Sequence, residues 1–143
     1  AALAGVATAL QLHQQVGRTR TRQRSRHLAS KFRKGVHAEL ESRQIDHSFL
    51  STGDGVIGES GVLTVQFEQY DPYPLYQAMN ERGVHCKCIK DLSKSGQPRQ
   101  LLRFGVPYYE TEARLEKALS VMNLCLQKTA DTKARKTAIL TGV

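Results

Sequence analysis

Between Arg18 and Glu41, Leu28, Phe32, Val36 and Leu40 fall four residues apart in a segment that is otherwise largely polar and basic. Such spacing puts the four side chains on one narrow stripe of an α-helix. The helix expected from about Thr19 to Ser42 must therefore bury that stripe against another element. Further along, the period changes to two: Leu63, Val65 and Phe67 alternate with Val62, Thr64 and Gln66. That is the pattern of a half-buried strand. A one-striped helix and a one-faced strand complete each other as layers of an α+β domain.

Leu3, Val6, Ala7 and Leu10 recur at helical spacing and Gly17 supplies a stop, which predicts an amphipathic helix over residues 2–16. Ser, Gly and Asp surround Phe49 and Leu50 between His47 and Gly61, so a brief strand followed by a loop is expected there. Asp71 can cap a short helix from Pro72 to Arg82, with Gly83 at its end. Val84 to Ile89 and Gln100 to Val106 read as strands joined by a polar turn around Lys94 to Pro98. Thr111 can cap a last helix whose apolar positions are Leu115, Ala118, Leu119, Met122, Cys125 and Leu126.

The order is two helices, then strand, helix, strand, strand, helix. A strand-helix-strand crossover runs parallel and a tight connection runs antiparallel, so a small mixed sheet with helices mainly on one face is expected, an α+β fold. The division expected is one small domain over 1–127, with the two helices in 1–43 and an α/β sandwich in 44–127. A basic tail follows over 128–143.

The 143 residues are enough for one core. A net charge of +8 and a pI near 9.7 raise the question of a polyanionic partner. Arg18, Arg20, Arg22, Arg24, Arg26, Lys31, Arg33 and Lys34 hold eight of the 21 basic residues. On a helix, charges at every second position spread around the circumference, where a phosphate-tracking stripe would be one-sided, and no aromatics interleave them. A solvated helix, or one facing an acidic part of another domain, is the reading preferred over a nucleic-acid site. A stand-alone basic nucleic-acid-binding or scaffold module is the alternative. Cys86, Cys88 and Cys125 are too few for a disulfide framework and fit a reducing, cytosolic compartment. No stretch reaches the roughly 18 apolar residues of a membrane span. Because the chain opens inside a helix, a segment of a longer protein is expected.

Arg103 stands out, since Leu101, Leu102, Phe104 and Val106 mark its strand as hydrophobic and a charge there needs a partner. Its planar guanidinium fork suits a carboxylate. On the residues alone, a buried Glu partner or a place at a sheet edge is the commoner reason for such an Arg.

The run Leu101 to Leu115, containing Arg103, Tyr109-Glu110-Thr111 and then an amphipathic helix, resembles the closing strand, turn and helix of class V aminotransferases, kynureninases and selenocysteine-lyase-like enzymes. Arg82-Gly83-Val84 resembles that family's turn between helix and strand, and the first two helices resemble the pair bridging its large and small domains. Glu110 stands where the family has Asn. The resemblance implies the C-terminal small domain of a fold-type I pyridoxal-phosphate enzyme acting on an amino acid, with Arg103 holding the substrate α-carboxylate. It further implies a homodimer and a large N-terminal domain carrying the Schiff-base lysine, to which no lysine here corresponds, so the chain alone should be inactive.

A desulfurase would keep a thiol in the loop before the closing strand, and Lys90 to Arg99 contains none. The three cysteines read as small buried hydrophobes. Cys86, Cys88 and His85 lack a fourth ligand for zinc, so no metal site is expected.

Overall fold

The structure, a computed structural model, describes residues 2–50, 61–92 and 98–141. Its elements are α1 (Ala2–Val16), α2 (Arg18–Glu41), β1 (His47–Phe49), β2 (Val62–Phe67), α3 (Tyr73–Glu81), β3 (Lys87–Leu92), β4 (Pro98–Gly105) and α4 (Glu112–Thr141). The loop expected after Leu50 and most of the polar turn before β4 lie outside the described residues. Gly17 breaks α1 from α2 at φ 90°, a left-handed conformation that costs glycine little.

The four-residue stripe of α2 is the centre of the fold. Leu28, Phe32, Val36 and Leu40 are all buried and share one core with Leu63, Val65 and Phe67 of β2, Leu102 and Phe104 of β4, Leu75 and Met79 of α3, and Met122 and Leu126 of α4. Burying each large apolar side chain contributes about 1.5–3 kcal/mol. Phe32 and Phe104 meet edge to face at 5.3 Å between ring centres. Where α2 crosses α4, Gly35 lies so close to Leu119 that any added Cβ would run into its methyl groups.

The sheet order is β1-β2-β4-β3 and every ladder is antiparallel. β2 and β3, both antiparallel to β4, run parallel to one another as the crossover through α3 requires. The mixed ladder expected between them does not form, because β4 inserts as their shared neighbour.

β3 begins at Lys87, three residues later than expected. Gly83 N–H and Val84 N–H donate to the carbonyls of Asn80 and Met79, so this backbone is spent closing α3. Cys86 consequently precedes the strand. Thr111 acts as a cap, accepting from the backbone N–H of Arg114 at 3.3 Å, whereas at α3 the cap position falls to Pro72 and Asp71, one residue earlier, accepts from the N–H of Tyr73 at 3.0 Å. α4 continues to Thr141, through the region expected to be a tail after Lys128. Beyond Leu126 the sequence holds Ala, Lys, Arg and Gln with no Gly or Pro until Gly142, so helix propensity alone permits the extension.

Candidate functional site

Strand alternation divides β4 between two environments. Leu102 and Phe104 point into the helix-covered core, which places Arg103 on the opposite, open face, where it is exposed. Thr64 of β2 and Lys87 of β3 sit directly across from Arg103 in the two ladders. One row of that face therefore reads Lys87 and Arg103, both exposed, and then Thr64, which is buried. Among the described residues, neither the Arg103 nor the Lys87 side chain has an ion-pair partner. Like charges opposite one another cost energy in a sheet, and an anion seated between them would remove that cost. Neither alternative account of Arg103, a buried Glu partner or a sheet edge, applies: β4 is an inner strand.

Lys87 was not singled out by its sequence. A strand taken to start at Val84 gives no register, and only the register with β4 brings Lys87 opposite Arg103.

Tyr109, Glu110 and Thr111 follow β4 by one turn. Tyr109 is exposed, and Glu110 supplies the turn's acceptor itself: its Oε1 accepts from Thr111 N–H at 3.2 Å and pairs with Arg114 at 3.4 Å. Among the described residues, no hydrogen bond joins these three to Arg103.

Cys86 and Cys88 are half-buried against the core and Cys125 is buried, and none of the three forms a disulfide. Burial pushes the Cys86 thiol up to about 12, and burial also raises those of Cys88 and Cys125. All three are protonated near neutral pH, the wrong state for a nucleophile or metal ligand. His85 Nδ1 lies 3.2 Å from Asn80 Oδ1. No cluster of three metal-binding side chains occurs among the described residues.

The basic run on α2 separates into faces. Lys31 pairs with Glu112 at 2.5 Å and Glu116 at 3.3 Å, while Arg24 and His27 also approach Glu112. The Glu112 carboxyl is held below its ordinary value, chiefly by its hydrogen bond from Lys31, and Lys31 is raised by the same bond. Arg33 stacks over the Phe49 ring at 4.6 Å. Arg18, Arg22 and Arg26 line a separate cleft.

No protein-family model and no curated protein matches the chain. Among solved structures, it is similar to a low-resolution serine palmitoyltransferase, with TM-score 0.53, 15% identity, 80% of this chain and 29% of that one covered. It is also similar to a variant of serine palmitoyltransferase with pyridoxal phosphate, with TM-score 0.56, 16% identity and coverages of 80% and 26%. A third, Sphingomonas wittichii serine palmitoyltransferase, gives TM-score 0.52, 16% identity and coverages of 75% and 25%. The chain has the fold of the small domain of fold-type I pyridoxal-phosphate enzymes. It spans about a quarter of the length of these structures.

A resident pyridoxal phosphate needs a lysine whose surroundings release its proton. Lys31 is held protonated by two carboxylates, and Lys34, Lys87, Lys90, Lys117 and Lys128 are exposed. The described residues do not make a cofactor site by themselves. What they offer is a pair of exposed cations, Arg103 and Lys87, side by side on the sheet. No helix among them is long and apolar enough to cross a membrane.

Proposed function

We propose that this chain is the C-terminal small domain of a pyridoxal-phosphate enzyme acting on an amino acid, and that Arg103 receives the substrate α-carboxylate. The observation that carries the reading is an exposed arginine, without an ion-pair partner among the described residues, on the open face of a sheet whose fold is shared with serine palmitoyltransferases. A guanidinium takes a carboxylate through two parallel hydrogen bonds, and Lys87 across the ladder deepens the positive potential there.

Pyridoxal phosphate is the cofactor of the full-length enzyme on this reading, supplying the electron sink for bond cleavage at the amino-acid α-carbon. The lysine and phosphate donors that hold it belong to a large N-terminal domain outside this chain, so the chain alone is inactive. Val6 and Leu10 of α1, both exposed here, fit a bridging helix that packs on that domain. Closure over bound substrate would exclude water from the reacting centre. The motif from Leu101 to Leu115 favours class V aminotransferase or lyase chemistry, and the similar structures carry a transferase name; both keep an amino-acid carboxylate for Arg103. A homodimer in the cytoplasm fits the same reading, the latter through three cysteines held outside any disulfide.

In the full-length enzyme, Arg103→Gln should raise KM for the amino acid by about 10–100-fold through the lost charge-assisted pairing, and Arg103→Lys should recover part of it. An unchanged KM in both variants would remove Arg103 from carboxylate recognition. A native protein that neither binds nor turns over amino acids would instead be a scaffold relative of the family.

A further inference from the structure

Lys87 and Arg103 are direct partners in the β3–β4 ladder, and both are exposed. Residues so opposed hold their Cβ atoms about 4.5–5.5 Å apart, and like charges at that separation work against the ladder that brings them together. The strands supply no counter-charge beside the pair. β1, β2 and β4 carry no acidic residue. The single one of β3, Asp91, stands opposite Arg99, roughly 13 Å along the strand from Lys87 at about 3.3 Å per residue. The rows on either side of the pair are uncharged, with Ile89 against Leu101 in one and Gly105 against Val62 in the other. Thr64, across from Arg103 on β2, is uncharged as well.

A monocarboxylate balances only half of this pair. With its α-carboxylate on Arg103, an amino acid with a neutral side chain leaves the Lys87 ammonium uncompensated. A second carboxylate on the same molecule meets that ammonium one strand spacing away, about 4.7–4.9 Å. We propose that Lys87 recognises the side-chain carboxylate of a dicarboxylic amino acid whose α-carboxylate is held by Arg103, so that the substrate is of the aspartate or glutamate class. The assignment of Lys87 rests on that of Arg103 proposed above. The two residue types suit the division of labour. The planar fork of Arg103 fixes the α-carboxylate in one orientation, as the group beside the reacting carbon requires. The Lys87 ammonium is a point charge on a flexible stem and follows a side chain of either length. Lys90, three residues along β3, shows the contrast: alternation carries it to the other face of the sheet, where its Nζ lies 5.9 Å from the centre of the Tyr73 ring.

The test is calorimetric titration of the full-length protein with L-aspartate, L-glutamate and their uncharged counterparts L-asparagine and L-glutamine. At least one acid is expected to bind about tenfold or more tightly than its amide. Lys87→Gln should abolish that preference while changing the affinity for the amides by less than about twofold, and Lys87→Arg should restore part of it. Lys90→Gln removes the same charge from the other face and should leave the preference within about twofold of its original value. Arg103→Gln should weaken all four ligands. Circular dichroism melts check that each variant is folded, which the exposure of Lys87, Lys90 and Arg103 favours. If Arg103→Gln weakens all four ligands but the preference for the acid survives Lys87→Gln, Arg103 keeps its role and the dicarboxylate assignment is overturned. If Arg103→Gln weakens none of them, both assignments fall together. Equal losses in Lys87→Gln and Lys90→Gln would trace the preference to diffuse charge and overturn the proposal. So would O-phosphoserine binding more tightly than either acid, which would make the second group a phosphate.

Discussion

The two faces of the sheet are made by the same strands and behave as different materials. On one, Val65, Phe67, Leu102 and Phe104 lie under three helices and are buried to within a few per cent. On the other, Arg103 and Lys87 stand exposed beside each other. Alternation carries β4 from buried Leu102 to exposed Arg103 and back to buried Phe104, while Leu101, on the side of Arg103, is buried as well. The covered face determines whether the domain exists, and the open face determines what it can hold. Adjacent positions should therefore respond to substitution in unlike ways.

The largest effect belongs to the covered face. Phe104→Ala deletes a ring packed edge to face on Phe32 and should cost about 3–5 kcal/mol of unfolding free energy in urea titration. A loss below about 1 kcal/mol would mean that the core does not centre on α2 and β4. Next comes the α2–α4 contact behind that face. Glu39 Oε2 accepts from Asn123 at 2.7 Å and pairs with Arg43 at 3.0 Å, both largely sheltered, so Glu39→Ala should cost about 1–3 kcal/mol. Asn123→Ala in the same background should then add little, since both changes remove one interaction.

Arg103→Gln, one residue from Phe104, should shift stability by less than about 0.5 kcal/mol while removing carboxylate recognition. A large loss of stability there would break the comparison, making Arg103 a structural residue. The smallest effect is electrostatic. Glu112 is depressed below its ordinary value of 4.5 in the folded state, so its contribution is present above that pH and is lost as pH falls through the lowered value. Lys31 is raised above 10.5, so its share is present below that pH and is lost as pH rises through the raised value. Glu112→Gln should slightly flatten the acid limb of a melting-temperature profile and leave the neutral region almost unchanged, as both groups are exposed.

Much of the covered face was legible because periodicity reports it directly. The four α2 residues, the buried Leu63, Val65 and Phe67 of β2 and the α4 stripe each fall where spacing puts them, as does the cap at Thr111. What spacing does not report is partnership. The position of β4 between β2 and β3, and with it the Lys87–Arg103 row, depends on which edges pair after the chain folds. The start of β3 was misplaced because Gly83 and Val84 close α3 before they can join a ladder. The basic run illustrates the same limit. Its charge was obvious, but only tertiary packing decides that Lys31 meets Glu112 while Arg18 and Arg26 line a cleft. Arg103 was identified through its type and apolar neighbours, whereas its exposure follows from the sheet.

The central claim is that this sheet closes over a cofactor held elsewhere in a longer polypeptide. The most direct measurement is borohydride reduction of the native protein as its source produces it, followed by mass mapping of the modified peptide. The account predicts a pyridoxyl group on a lysine outside these 143 residues. A pyridoxyl group on a lysine within them, or a native protein carrying no pyridoxal phosphate at all, would contradict it.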